Sequence, residues 1–345
     1  MPKFKILKRW IGDNELPLII AEVGINHNGS LEAAIEIADA AISSGAEIIK
    51  HQTHVVSDEM IQEAKKIKPG NSNKSIYKIM NDCALNENDE KKLMKYILQK
   101  KKIFISSPFS REAVNRLVKF GVPAFKIGSG ECNNYPLIEY IAKFKKPVIL
   151  STGMNSIQQI RKSVNIFRKK KIPFALLHCT NVYPTPPKLV RLPCLNTLKK
   201  NFPDAVVGLS DHTTSNYTSY AAMGLGAKII ERHFVDTRSR QGPDINCSMD
   251  PNDLKNLIEG SKIINDALKN KNKEAIKEEL KTIKFAFASV VSIKSIKAGE
   301  KLNEKNIWVK RPGTGDFLAN KYKYLLGKKV KKNIQSGETI KKRHF

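Results

Sequence analysis

The sequence predicts an α/β chain: a (β/α)8 barrel, or TIM barrel, followed by a small β-rich domain. Three observations support this. Eight short apolar runs alternate with segments of helical period before residue 240. The fingerprint of the competing doubly wound sheet, GxGxxG after a first strand, is missing. After residue 282 the texture changes to short strands broken by turns.

The eight runs are LIIAE (18–22), EIIK (47–50), IFIS (103–106), AFKIG (124–128), PVILS (147–151), FALLH (174–178), AVVGL (205–209) and KIIERH (228–233). Segments such as LEAAIEIADAAISSG (31–45) and REAVNRLVKFG (111–121) lie between them with helical spacing. Strand and helix alternating eight times is the pattern of a parallel barrel. The longest gap separates the second and third runs. It holds KIKPGNSNKS, rich in turn formers, and predicts a loop over the barrel mouth. Helical segments cover 251–279, and NKNKEAIKEELK reads as an exposed linker helix. FAFASVVSIKSI, KAGEKLNEKNIWVKRPG and LLGKKVKKNIQSGETIKK then read as short strands with AGE and SGE turns. The predicted division is a barrel over 1–275, a linker over 276–284 and a small domain over 285–345.

Composition narrows the class. With 41% hydrophobic and 27% charged residues, the 345-residue chain can bury a sizeable core. It has no apolar run of about 18 residues, so no membrane partner is expected. The N-terminus lacks the apolar stretch of a signal peptide. Five scattered cysteines without CxxC spacing predict reduced thiols in a cytoplasmic protein. The net charge is +27, and residues 281–345 hold 17 Lys/Arg against 4 Asp/Glu. That tail lacks interleaved aromatics or an RNA-binding motif, so it reads as a solvated lysine-rich surface, with no nucleic-acid partner.

Barrel chemistry sits at the C-terminal strand ends. Here those ends are Glu22, Lys50-His51-Gln52, Ser106-Ser107, Lys126 with Ser129 and Glu131, Ser151-Thr152-Gly153, His178 with Asn181 and Tyr183, Ser210-Asp211-His212 and Glu231-Arg232-His233. His212 and His233 end neighbouring strands and could meet at one divalent cation. Two histidines with oxygen ligands suit Mn, Mg, Co or Fe better than a closed zinc site. Lys50 and Lys126 would be costly to bury without an anion, which predicts an anionic substrate. Ser129, Ser151, Asn181 and the GSG and STG amides could complete a phosphate cradle. An imine-forming role for Lys126 is the competing reading.

The motifs AEVGINHNGS, KHQTH, SSPFS, FKIGSGECNNYP, STGM, NVYPTP, GLSDHT, ERHF and GPD occur in this order. Together they resemble the sialic acid synthase family over nearly the whole chain. The tail from Phe285, with VKRPG at 309–313, resembles that family's antifreeze-like SAF domain, a β-clip. The resemblance implies a metal-dependent transferase and a domain-swapped homodimer. Phosphoenolpyruvate would condense with open-chain N-acetylmannosamine, giving N-acetylneuraminate and phosphate by C–O cleavage. A 2,4-diacetamido-6-deoxy hexose, giving legionaminate or pseudaminate, is the alternative. By resemblance, His212 and His233 are metal ligands, with Mn2+ expected and Mg2+ or Co2+ as alternatives. Lys50, Ser107, Lys126, Ser129, Ser151, Asn181 and Ser210 match the phosphoenolpyruvate site. Gln52, Asn71, Glu131, Tyr183, Asp244 and Phe285 match the sugar side. Arg311 matches an arginine inserted into the partner's site, and Glu22 a carboxylate near the reacting carbons. The family's usual Lys-Phe-Gln is here Lys50-His51-Gln52, with His51 expected in the barrel wall where Phe would sit. The KHQTH variant looks most like the bacterial N-acetylneuraminate branch.

Overall fold

The computed structural model describes residues 2–69, 73–270 and 272–345. The chain divides into two compact units, Met1–Asn270 and Lys271–Phe345. In the first unit, β1 (Lys3–Ile6) and β2 (Arg9–Gly12) pair as an antiparallel hairpin. Eight parallel strands then close a barrel: β3 (Leu18–Gly24), β4 (Ile48–Thr53), β5 (Ile103–Pro108), β6 (Phe125–Ile127), β7 (Val148–Ser151), β8 (Phe174–Cys179), β9 (Val206–Ser210) and β10 (Ile229–His233). Each coincides with one of the eight apolar runs. The barrel and the small antiparallel sheet after it agree with the predicted fold class.

Side chains alternate across each strand, so every second residue enters the barrel. The lower inward layers are apolar, with Leu18, Ile20, Ile48, Ile105, Ile149 and Leu177 in one buried cluster. Phe4, Ile6 and Ile11 of the hairpin join that cluster and close the barrel floor. Two residues further along each strand the same alternation delivers Glu22, Lys50, Ser107, Lys126, Ser151, Cys179, Ser210 and Glu231. The barrel therefore has an apolar base and a chemically capable top layer. The outward residues, among them Ile19, Ala21, Ile49, Phe104 and Phe125, pack beneath the surrounding helices.

The hairpin was not among the expected elements. Its signal is the strict alternation of Lys3 and Lys5, exposed, with Phe4 and Ile6, buried. Of the turn-rich KIKPGNSNKS, expected as a loop over the mouth, residues 70–72 lie outside the described residues; directly after it comes a helix that was not expected, Ile76–Cys83. Ser75 caps its N-terminus by accepting from the Lys78 amide at 3.3 Å. Among the described residues, no helix is long and apolar enough to cross a membrane.

In the second unit, β11 (Ser289–Ser292) pairs antiparallel with β12 (Ile307–Lys310). Val290, Ile296, Leu302, Ile307, Leu325, Val330, Ile334 and Ile340 form its core. Gly299 and Gly337 take positive φ in the AGE and SGE turns. Residues Lys277–Glu279 form a 3-10 turn and Leu280–Ala286 a helix, both within this unit.

Candidate active site

The strand ends enclose a cavity of about 350 Å³. Glu22, Lys50, Gln52, Ser107, Lys126, Ser129, Ser151, Asn181, Tyr183, Ser210, His212, His233 and Asp244 all line it. Strand register explains the grouping. Glu22 lies opposite Lys50 on one side and His233 on the other, and Gln52 lies opposite Ser107.

Lys50 forms a buried ion pair with Glu22 and also reaches Ser107 Oγ at 3.4 Å. Gln52 donates to the same Glu22 oxygen at 2.7 Å. Burial pushes the Glu22 carboxyl up, but His233 and Lys50 outweigh it and hold it well below the usual carboxylate range. Lys126 donates to Ser151 Oγ at 2.7 Å and lies 3.3 Å from Glu231. Burial lowers the Lys126 pKa; on Lys50 burial acts the same way, but Glu22 and Glu231 together outweigh it and raise the pKa. The sequence predicts an external anion to pair these lysines. The protein itself supplies two, Glu22 and Glu231, so an incoming anion meets a charge-balanced box that it must rearrange.

On the next wall, Ser129 Oγ accepts from the Gly153 amide at 3.1 Å. Asn181 Oδ1 and Glu231 Oε2 are buried with no hydrogen-bond partner among the described residues, and both residues line the cavity. Tyr183 stacks on His212, with ring centroids 4.1 Å apart. Burial raises the Tyr183 pKa well above its ordinary value, so its hydroxyl stays a donor.

The chain matches the NeuB family over residues 37–273 and the SAF domain over residues 287–345. It belongs to the NeuB family. It is 37% identical to the N,N'-diacetyllegionaminic acid synthase of Campylobacter jejuni subsp. jejuni serotype O:2, covering 94% of this chain and 98% of that one. It is 33% identical to the pseudaminic acid synthase of the same organism, over 95% and 96% of the two chains. The crystal structure of N-acetylneuraminic acid (sialic acid) synthetase from Leptospira borgpetersenii serovar Hardjo-bovis, in complex with citrate, superposes with a TM-score of 0.75. That protein is 30% identical, with 81% of this chain and 95% of that one covered. Membership of the NeuB family makes this chain an enzyme.

The fit of a metal to this NeuB-family site can be tested on the two histidines. Their ring centroids are 5.4 Å apart. His212 Nδ1 donates to the Thr180 carbonyl at 2.9 Å, which leaves Nε2 as the lone-pair nitrogen. His233 Nδ1 is buried without a hydrogen-bond partner and lies 3.8 Å from Asp244. Among the described residues, no group of three or more candidate ligands converges. Two imidazoles alone leave most coordination positions to water and substrate, which fits an open catalytic site and not a closed structural one.

Four expected residues are not among the described residues that line the cavity. Glu131 does not line the cavity; it accepts from Asn134 at 2.5 Å, and burial raises its pKa. Asn71 lies outside the described residues. Phe285 and Arg311 are exposed residues of the second unit.

The structure also brings in residues that the sequence reading passed over. His54 bridges Gln52 at 3.2 Å and Glu59 at 2.8 Å and stacks on Phe109. Ile25, Pro69, Ile76, Ile79, Met80 and Pro243 give the cavity an apolar wall. His51, unlike these an expected wall residue, turns away from the cavity, stacks on Phe104 and meets His27 at 3.2 Å and Glu90 at 3.1 Å. Glu90 is fully buried and also accepts from Thr53 and Arg116. Asn26 ties the loop after β3 to the segment after β10, donating to the Phe234 carbonyl and to Ser248 Oγ. Of these, His54 sits in the KHQTH motif and Asn26 and His27 in NHN, so their motifs were visible. Glu90, Ile76, Ile79 and Met80 carry no local signal.

Proposed function

We propose that this chain condenses phosphoenolpyruvate with the open-chain aldehyde of an N-acylated hexose, giving a nine-carbon 2-keto sugar acid and phosphate. One observation carries the reading: two buried lysines, each backed by a serine hydroxyl, line the same cavity as a facing pair of histidines. Lys50 and Lys126, with Ser107, Ser129, Ser151, Ser210 and Asn181, would hold the carboxylate and phosphate of phosphoenolpyruvate. Gln52, Tyr183 and Asp244, which line the cavity, would meet the sugar; Asn71, Glu131 and Phe285 are assigned to the sugar by the sequence resemblance alone. His212 and His233 would hold a divalent ion, Mn2+ first and Mg2+ or Co2+ next, which when bound supplies Lewis-acid polarisation of the acceptor carbonyl.

The chain's own residues account for the rest. Lys50 and Lys126 orient the enol so that its C3 faces the aldehyde carbon. The new carbon–carbon bond leaves an electron-poor C2. A water adds there, and Glu22 accepts its proton. In the free protein Glu22 is held by Lys50. Drawing Lys50 onto the anionic substrate frees the carboxylate for that role. The tetrahedral carbon then expels phosphate by cleavage of its C–O bond.

The sequence resemblance favours N-acetylmannosamine as the acceptor. The names borne by the Campylobacter relatives favour a 2,4-diacetamido-6-deoxy hexose instead. We also assign Arg311 to the site of a neighbouring subunit in a swapped homodimer.

The test is acceptor-dependent phosphate release. EDTA should abolish it and Mn2+ restore it, while turnover in EDTA would remove the metal from the scheme. With oxygen-18 in the bridging position of phosphoenolpyruvate, the label should leave in phosphate. Label in the sugar acid would rule out C–O cleavage.

A further inference from the structure

Lys50, Gln52 and His54 are spaced by two along β4 and its exit, so strand alternation turns all three toward the cavity, and each lines it. His54 is 4% exposed, and its ring is held on three sides. Phe109 stacks on it with ring centroids 4.4 Å apart and planes 11° from parallel. Nδ1 meets Glu59 Oε2 at 2.8 Å, and Nε2 lies 3.2 Å from Gln52 Oε1. The short helix Val56–Glu59 that carries Glu59 is itself anchored, because Asp58 Oδ2 accepts from the Glu112 amide at 2.8 Å.

Donor and acceptor chemistry gives this chain of contacts a direction. The ionised Glu22 can only accept, so the end of Gln52 that faces it is the amide nitrogen, 2.7 Å from Glu22 Oε1. The other end is then the carbonyl oxygen, and His54 Nε2 donates to it. Lys50 pairs with the same Glu22 oxygen, while Oε2 lies 3.7 Å from His233 Nε2. We propose that His54 is a positioning residue of the condensation: through Gln52 it keeps Glu22 aimed once Lys50 has moved to the anionic substrate. The inference rests on the reading of Glu22 as the base that takes a proton from the attacking water. With Lys50 withdrawn, Gln52 is the remaining side-chain donor to Oε1 among the described residues. An amide held at its nitrogen end alone is free to swing, and the bond from His54 pins the other end. The second amide hydrogen of Gln52 is left for the sugar. A base displaced by about 1 Å from its target loses on the order of a hundred-fold in rate.

Two variants separate this role from packing. In His54→Gln the side-chain nitrogen takes the place of Nε2 and still donates to Gln52. In His54→Asn it takes the place of Nδ1 and leaves Gln52 Oε1 without its donor. Phosphate release is measured with saturating phosphoenolpyruvate, Mn2+ and whichever of N-acetylmannosamine and 2,4-diacetamido-6-deoxy mannose the wild type uses faster. The kcat should fall about ten- to a hundred-fold in His54→Asn and recover to within about threefold of wild type in His54→Gln. Both KM values and the affinity for Mn2+ should stay put, which also reports an intact barrel. Equal kcat in the two variants, whether normal or impaired, overturns the proposal. So does a loss confined to the acceptor KM, which would make His54 a sugar contact. No phosphate release by the wild type would instead bring down the condensation reading. The crystal structure of His54→Asn then decides the coupling: a displaced Gln52 amide upholds it, and one still bonded to Glu22 as in the wild type overturns it.

Discussion

At the scale of single residues, Gly153 shows how little room the anion end of the cavity has. A Cβ there would lie 1.9 Å from Asn181 Oδ1 and 2.9 Å from Ser129 Oγ. Gly153→Ala should therefore displace both side chains while leaving the barrel folded. We expect kcat/KM for phosphoenolpyruvate to fall about a hundred-fold, with the melting temperature moving by only about 2–4 °C. A variant of near-normal kcat/KM would show that neither side chain grips the substrate. His27 provides a second prediction. Burial, then the nearby His51, lowers its pKa from the ordinary 6.5 to about 3. The hydrogen bonds agree: the Gly29 amide donates to His27 Nδ1, so a neutral His27 must carry its proton on Nε2, toward His51. The folded form binds this proton less readily than the unfolded chain. The stabilisation is thus complete above about pH 6.5 and is lost as pH falls toward 3, worth at most on the order of 5 kcal/mol. Denaturant titrations from pH 7 to 4.5 should show wild type losing more stability than His27→Gln; parallel curves would dismiss His27 as the cause. Single-residue legibility followed from period and motif. Glu22, Lys50, Lys126 and Glu231 were readable because alternation along a strand fixes which side chains face the barrel interior. Glu90 was not, because its partners Thr53, His51 and Arg116 lie 26 to 39 positions away and nothing in its own helix marks it.

At the scale of elements, the eight barrel strands were legible because each is a short apolar run between helical segments. The hairpin β1–β2 escaped because four residues of alternation among four lysines and arginines read as a charged leader. The helix Ile76–Cys83 escaped because its eight residues follow a turn-rich stretch. Its amphipathic face shows only once the cavity it serves is known. So short a helix stands largely on its cap and on the wall it completes. Ser75→Ala removes the acceptor for the Lys78 amide and should cost about 1 kcal/mol locally. Amide exchange within 76–83 should then speed up about fivefold, with the acceptor KM rising and the phosphoenolpyruvate KM unchanged. Exchange at the wild-type rate would mean that the apolar wall holds the helix without the cap.

At the scale of the whole molecule, two units divide the work unevenly. The residues lining the cavity all belong to the first unit. The second has its own core, and its Arg311 is exposed. Its lysine surplus is spread over the sequence. The resemblance nevertheless gives Arg311 a role in the site of a second copy, and mixing two disabled chains tests that assignment. In a swapped pair, His212→Ala disables the cavity of its own chain, while Arg311→Ala disables the cavity of its partner. A mixed dimer thus keeps one good site, formed by the Arg311→Ala chain's barrel and the His212→Ala chain's small unit. Random reassociation makes half the dimers mixed, so activity should recover to about a quarter of the wild-type value per site. The assay must run below the acceptor KM, where loss of Arg311 is most visible. If each chain served its own cavity, every site would carry one of the two lesions and mixing would restore nothing. Recovery well below a quarter from fully exchanged dimers would mean that Arg311 acts within its own chain.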